Sequence, residues 1–177
     1  DNNGSSGTPS ARQSSLRTSN LALLASRVFA SPGPVSRAAV ATATGMTRST
    51  ASRLADELVA TGILAELAPT PTAGPGRPAV PLTPASGTFI AIGLEVNVSR
   101  MAVRAIDLSG DVLAERLVVD DFSSSDAHEV LGRLASLLEP LTALGPVRSA
   151  RMVGAALALP GLASDGVPMR APNLGWA

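Results

Sequence analysis

The chain has 177 residues, no net charge and no cysteine, and 45% of its residues are hydrophobic. That length suits one large or two small domains with a packed core. The lack of cysteine excludes disulfides and thiolate metal sites in this stretch, and no apolar run reaches the roughly 18 residues needed to span a bilayer.

Aromatic residues are only 2%, so the core must rest on Ala, Leu and Val. The zero charge hides an asymmetry. All 14 basic residues are Arg; six of them lie between Asn2 and Ala55 with no acid among them, and 8 face 13 acids from Asp56 onward. A basic head on an acidic body suits a polyanion partner for the head, although a merely solvated surface is the plainer reading of charge alone.

Asp1 to Ser15 is polar, lacks the apolar stretch of a secretory signal and reads as a disordered arm, which makes a cytoplasmic protein the default expectation. Leu16 to Ala30 places Leu16, Leu21, Leu23, Leu24, Val28 and Phe29 at helical spacing. Ser31-Pro32-Gly33-Pro34 ends that helix. Ser36 suits the N-cap of a short helix over Arg37 to Ala43. Gly45 suits the left-handed position after it. Thr47 caps a third helix running to about Thr61. Ile63 to Leu67 reads as a strand, Pro69 to Pro78 as a loop, and Ala79 to Thr83 as a returning strand.

Around Pro84 to Gly87 the composition changes. Strands are expected over Thr88 to Val96, Ser99 to Leu108 and Val112 to Asp120. A helix follows over Ser123 to Leu144 with Ser124, Ser125 or Asp126 as cap, then a strand over Met152 to Leu159. Ser164 to Ala177 reads as loop. The order β-β-β-α-β indicates an α/β domain with a mixed sheet.

A short helix, a Gly-bearing turn and a longer helix form the helix-turn-helix pattern. At about 100° per residue, Ala51, Leu54, Ala55 and Leu58 share the core side of the third helix. Ser49, Ser52 and Arg53 fall opposite, with Arg48 on the flank and Thr47 and Thr50 at the start. Small hydroxyls admit close approach and donate to phosphates, and Arg reads guanine edges or phosphates. The plainer alternative is a three-helix bundle with a polar face. Gly76-Arg77-Pro78 in the loop reads as a wing whose Arg77 fits a narrow minor groove, or else as a linker. Ser36 and Arg37 stand at the second helix start, where a phosphate is favoured by the helix dipole. Arg17 and Asn20 are further candidates for backbone contact.

Taken in order, Leu16-Arg17-Thr18-Ser19-Asn20, Gly33-Pro34-Val35-Ser36-Arg37, Thr44 to Thr50, Gly76-Arg77-Pro78, Gly93 to Asn97, and Leu159 to Leu162 with Arg170 to Trp176 resemble the ROK-family repressors, the group of the xylose and N-acetylglucosamine regulators. The resemblance covers Leu16 to the end. It implies an α/β multi-domain chain: a winged helix-turn-helix over 16–84, then over 88–177 the first part of an actin-like ATPase domain of the sugar-kinase type. It also implies a double-stranded, palindromic DNA operator, a homodimer or higher assembly, a sugar or sugar-phosphate effector, no membrane partner and no chemistry. Pro160, Gly161 and Asn173 are the sugar-contact candidates it brings. The alternative it leaves open is a ROK-type sugar kinase with a DNA-binding head. Against that, Val96 stands where the kinases of the family carry a phosphate-loop glycine. The chain reads as a fragment of a longer one, with no cofactor in this segment and the family's zinc motif beyond it.

Other groups read plainly. His128 opens an exposed helix, Asp120-Asp121 is a solvated or capping pair, and Glu95 and Asp107 lie on neighbouring strands without a catalytic partner. Trp176 either packs on a sugar face or fills core.

Overall fold

The computed structural model describes residues 9–69, 80–164 and 167–176. The chain divides into two compact units, Asp1–Ala85 and Ser86–Ala177.

The first unit carries α1 (Pro9–Phe29), β1 (Val35–Ser36), α2 (Arg37–Thr44), α3 (Arg48–Ala60), β2 (Leu64–Glu66) and β3 (Pro81–Pro84). The first helix begins at Pro9, so part of the expected disordered arm is helical. Proline suits a first helical turn, where its missing N–H would have no partner anyway. Leu24 and Val28 on α1, Val40 and Ala41 on α2, and Ala51, Leu54, Ala55 and Leu58 on α3 form one core with Leu64 and Leu82. The four α3 residues are those that the helical angles assign to the core. Leu16, Leu23 and Phe29 instead face outward. The small sheet has the order β1-β3-β2, antiparallel throughout. The two-residue β1 is too short to leave a sequence signal. The stretch between β2 and β3 joins antiparallel neighbours, the connectivity of a wing.

The second unit carries β4 (Phe89–Asn97), β5 (Arg100–Asp107), β6 (Val112–Val119), α4 (Ala127–Thr142), α5 (Gly145–Ser149), β7 (Arg151–Ala158), β8 (Leu162–Ser164) and β9 (Val167–Arg170). A 3-10 turn over Pro172–Leu174 follows them. Its main sheet has the order β6-β5-β4-β7, with β4 and β7 parallel and the other pairs antiparallel. This is the expected mixed sheet. Alternation along β5 sends Met101, Val103 and Ala105 into the core, where they meet Val130, Leu134 and Leu141 of α4. The expected terminal loop is corrected: β8 and β9 pair as an antiparallel hairpin.

Two acids of this unit are structural. Asp107, only 6% exposed, accepts from Ser86 Oγ at 2.8 Å, Gly87 N at 2.9 Å, Ser109 N at 2.9 Å and Asp111 N at 3.1 Å, and also from the Ser109 hydroxyl. Burial pushes its carboxyl pKa up, but these hydrogen bonds outweigh that and hold it below the usual carboxylate range. Glu95 pairs with Arg100 at 2.9 Å. Glu95 lies opposite Ala102 and Asp107 opposite Ile90, so the two acids form no pair.

Candidate nucleic-acid interface

The helix-turn-helix is assembled by local hydrogen bonds that its own residues supply. Ser36 caps α2, its hydroxyl accepting from Ala39 N at 3.1 Å. Gly45 ends α2 at φ 69°, a left-handed conformation that a side chain would strain. Met46 N then donates to Ala41 O at 3.1 Å, which closes the turn. Thr47 caps α3: its hydroxyl oxygen accepts from Thr50 N at 3.2 Å and donates to Thr50 Oγ1 at 2.9 Å. Ser49 Oγ stands 3.1 Å from the same hydroxyl.

This fixes which groups the N-terminal end of α3 presents. Thr47, Arg48, Ser49 and Arg53 are exposed, while Thr50 and Ser52 are half-buried. Among the described residues neither Arg48 nor Arg53 has an ion-pair partner. Two cations, two hydroxyls and the positive end of a helix thus converge on one surface, a combination that attracts anions. Beside it lies a polar depression of about 730 Å³, lined by Gln13, Ser14, Arg17, Asn20 and Arg53. It brings the α1 candidates next to Arg53. Arg17 also pairs with Glu57 of α3 at 2.8 Å.

Arg37 departs from the expectation that it holds a phosphate. Its guanidinium donates to Ser52 O at 2.9 Å and pairs with Asp56 at 2.7 Å and Glu66 at 2.5 Å. Burial lowers its pKa, but the bonds to Glu66 and Asp56 outweigh that and raise it, so the cation is fixed. The sequence conceals this because the partners lie 15 to 29 residues downstream. Gly76, Arg77 and Pro78, the wing candidates, lie outside the described residues.

The sugar-contact candidates sit at the end of the second unit. Gly161 lies against the β9 end: a Cβ there would fall inside contact distance of Arg170 O and 3.0 Å from Ala171 Cα. That close approach is a structural reason for the glycine. It lines a depression of about 610 Å³ with Leu159, Leu162, Arg170 and Ala171. Pro160 precedes it, and Asn173 is exposed on the 3-10 turn. Trp176 packs against the core, and its indole N–H donates to Ser125 Oγ at 3.1 Å. Val96 is only 1% exposed and belongs to the core. Its bulk therefore says nothing about a phosphate, which corrects the argument that it blocks one. Among the described residues no group of three or more His, Cys, Asp or Glu could hold a metal, and no helix is long and apolar enough to cross a membrane.

A capped helix pair on a closed core, followed by an antiparallel strand pair, defines a helix-turn-helix unit. Residues 27–68 match the model of the IclR helix-turn-helix domain. Over 90% of its length the chain has the fold of a solved ROK family transcriptional regulator, a homolog of the E. coli MLC protein, at a TM-score of 0.58 and 20% identity. It is also 30% identical over 127 residues to the uncharacterized protein y4fQ of Sinorhizobium fredii, an alignment covering 72% of this chain. The chain spans 42% of the solved regulator and 32% of the rhizobial protein.

Proposed function

We propose that the chain is the DNA-binding head, with the first part of the sensing domain, of a cytoplasmic ROK-type transcriptional regulator. The observation that carries this reading is the exposed N-terminal end of α3, where Arg48 and Arg53 stand beside two hydroxyls with no acid paired to them among the described residues. α3 enters the major groove by that end. Arg48 and Arg53 contact base edges or phosphates, the Ser49 hydroxyl donates to the backbone while Thr47 holds the first turn of α3, and Arg77 probes the minor groove. The IclR-type match and the fold of the solved regulator support this use of the head.

The second unit, in the same reading, begins an actin-like sensing domain. It binds a sugar or sugar phosphate near Pro160, Gly161 and Asn173 and catalyses nothing. Two such chains associate and read a palindromic operator, repressing carbohydrate genes. Fluorescence anisotropy against the upstream region of the chain's own operon tests the reading. Binding should weaken linearly in log–log form as salt rises, with a slope of about −0.9 per phosphate neutralised. Absent or salt-insensitive binding would sink it.

A further inference from the structure

We propose that Arg37 is a positioning residue: it locks the recognition helix α3 to the stem of the wing, so Asp56 and Glu66, although acidic, support DNA binding. This rests on the reading that α3 binds DNA. The guanidinium holds three partners on two elements. Ser52 O and Asp56 are one turn apart on α3, and Glu66 is the last residue of β2. Arg37 itself follows β1, whose Ser36 pairs with Pro81 of β3, while Glu66 pairs with Leu82 of the same strand. One side chain therefore closes a ring through α2, α3 and all three strands of the small sheet. Glu66 ends β2, and Leu67 still bonds to Pro81 of β3, so this end of the strand pair is tied to α3 through Arg37.

Arginine suits the task because its planar fork offers several donors in fixed directions. Lysine is a point charge on a flexible stem. The side chain is 23% exposed, and its partners are 66% and 40% exposed. Pairs so accessible to water add little stability, and their effect falls on geometry. The opposite flank is held separately, by Arg17 on Glu57.

Two readings of Glu66 give opposite signs. If the acid merely sits near DNA, removing it reduces repulsion and tightens binding. If it anchors Arg37, removing it loosens β2 against α3 and weakens binding. The test uses the full 177-residue chain and a labelled mixed-sequence DNA duplex in a potassium chloride series. Glu66→Ala and Arg37→Lys should each weaken binding by about fivefold with an unchanged salt slope. Glu66→Gln, which keeps a carbonyl acceptor for the guanidinium, should recover part of the loss. Tighter binding by Glu66→Ala, or full affinity in Arg37→Lys, overturns the proposal. So does an Arg37→Gln variant that loses about one unit of salt slope, the mark of a direct phosphate contact.

Hydrogen exchange without DNA separates the two levels of inference. Faster exchange of the Leu67 amide, which donates to Pro81 O at 2.9 Å, is expected in Glu66→Ala and Arg37→Lys at unchanged melting temperature. Unchanged exchange overturns the lock. Faster exchange in a chain whose parent binds no DNA keeps the lock and removes the DNA reading.

Discussion

In the N-terminal unit the helices of the turn begin on side-chain caps and bury one face each against a shared core. In the C-terminal unit α4 and α5 cover one side of the sheet, while β7 stands exposed along its whole length. Met152, Val153 and Leu157 on that strand are 64%, 60% and 39% exposed. The head closes on one core that runs from Leu24 to Leu82, so its three helices and small sheet cover one another. A sheet is closed only by what packs on its faces and edges, and among the described residues β7 has no such cover. The comparison teaches that the two units should fail differently when perturbed.

The largest effect is expected in the head's core. Leu54, 1% exposed among Leu24, Val28 and Val40, has no room to be replaced by collapse. Leu54→Ala should destabilise the head by about 4 kcal/mol, seen as early loss of helical circular dichroism in a urea titration. A shift of the same size in the second unit's transition would break the comparison, because it would make the units one cooperative body.

Next comes Asp107, which organises the ends of β4, β5 and β6. Asp107→Ala takes the shared acceptor from the turns at Ser86–Gly87 and Ser109–Asp111 and should cost about 2 kcal/mol, confined to the second unit. The same carboxylate predicts a pH dependence. Its folded pKa lies below the usual value. Its stabilisation is therefore fully present above the usual carboxylate range and declines as pH falls through the folded value. Melting curves of the parent should show the second unit weakening on acidification, and the Ala variant should lack that component. An equal pH response in both chains would remove Asp107 from the explanation.

Arg53→Ala should affect binding and not folding. Arg53 is exposed and has no ion-pair partner among the described residues, so its loss should leave melting unchanged. It should weaken DNA binding by about tenfold and lower the salt slope by about one if it contacts a phosphate. An unchanged affinity would move the interface away from this end of α3.

How much of this was legible in the sequence follows the same divide. The caps Ser36 and Thr47, Asp126 as one of three candidates, and the left-handed Gly45 were readable because each bonds within three or four residues of itself. The core face of α3 was readable from its period. The role of Arg37 was hidden because it depends on Asp56 and Glu66, which only the folded chain brings near. The β8–β9 hairpin was missed for a different reason. Asp165-Gly166 between the strands is a strong hairpin dipeptide, but the flanking strands are only three and four residues long and one carries Pro168, so no alternation shows. Val96 was misjudged although its alternation with Ile90 and Ile92, both buried, already places it on the core face of β4. The sugar-contact residues carry no local signal of their own, since an exposed Asn on a turn serves turn and ligand equally.

The smallest effect is also the sharpest comparison. Thr47 and Asp126 perform the same task in the two units, each accepting a backbone N–H three residues on, at 3.2 Å and 2.9 Å. Removing either by substitution to Ala should cost about 1 kcal/mol of stability, read as a modest drop in the melting temperature of its own unit. The consequences for DNA should differ. Thr47→Ala removes a hydroxyl from the surface of α3 and loosens its first turn, where Arg48 and Ser49 stand. Binding should fall by a few-fold, and Thr47→Ser, which keeps the cap, should restore it. Asp126→Ala caps a helix of the other unit and should leave DNA affinity unchanged. Equal losses of stability with unequal losses of binding would place the function of the head in the cap geometry of α3. Equal losses of binding would instead mean that DNA affinity reports general stability, and the division of labour between the units would fail.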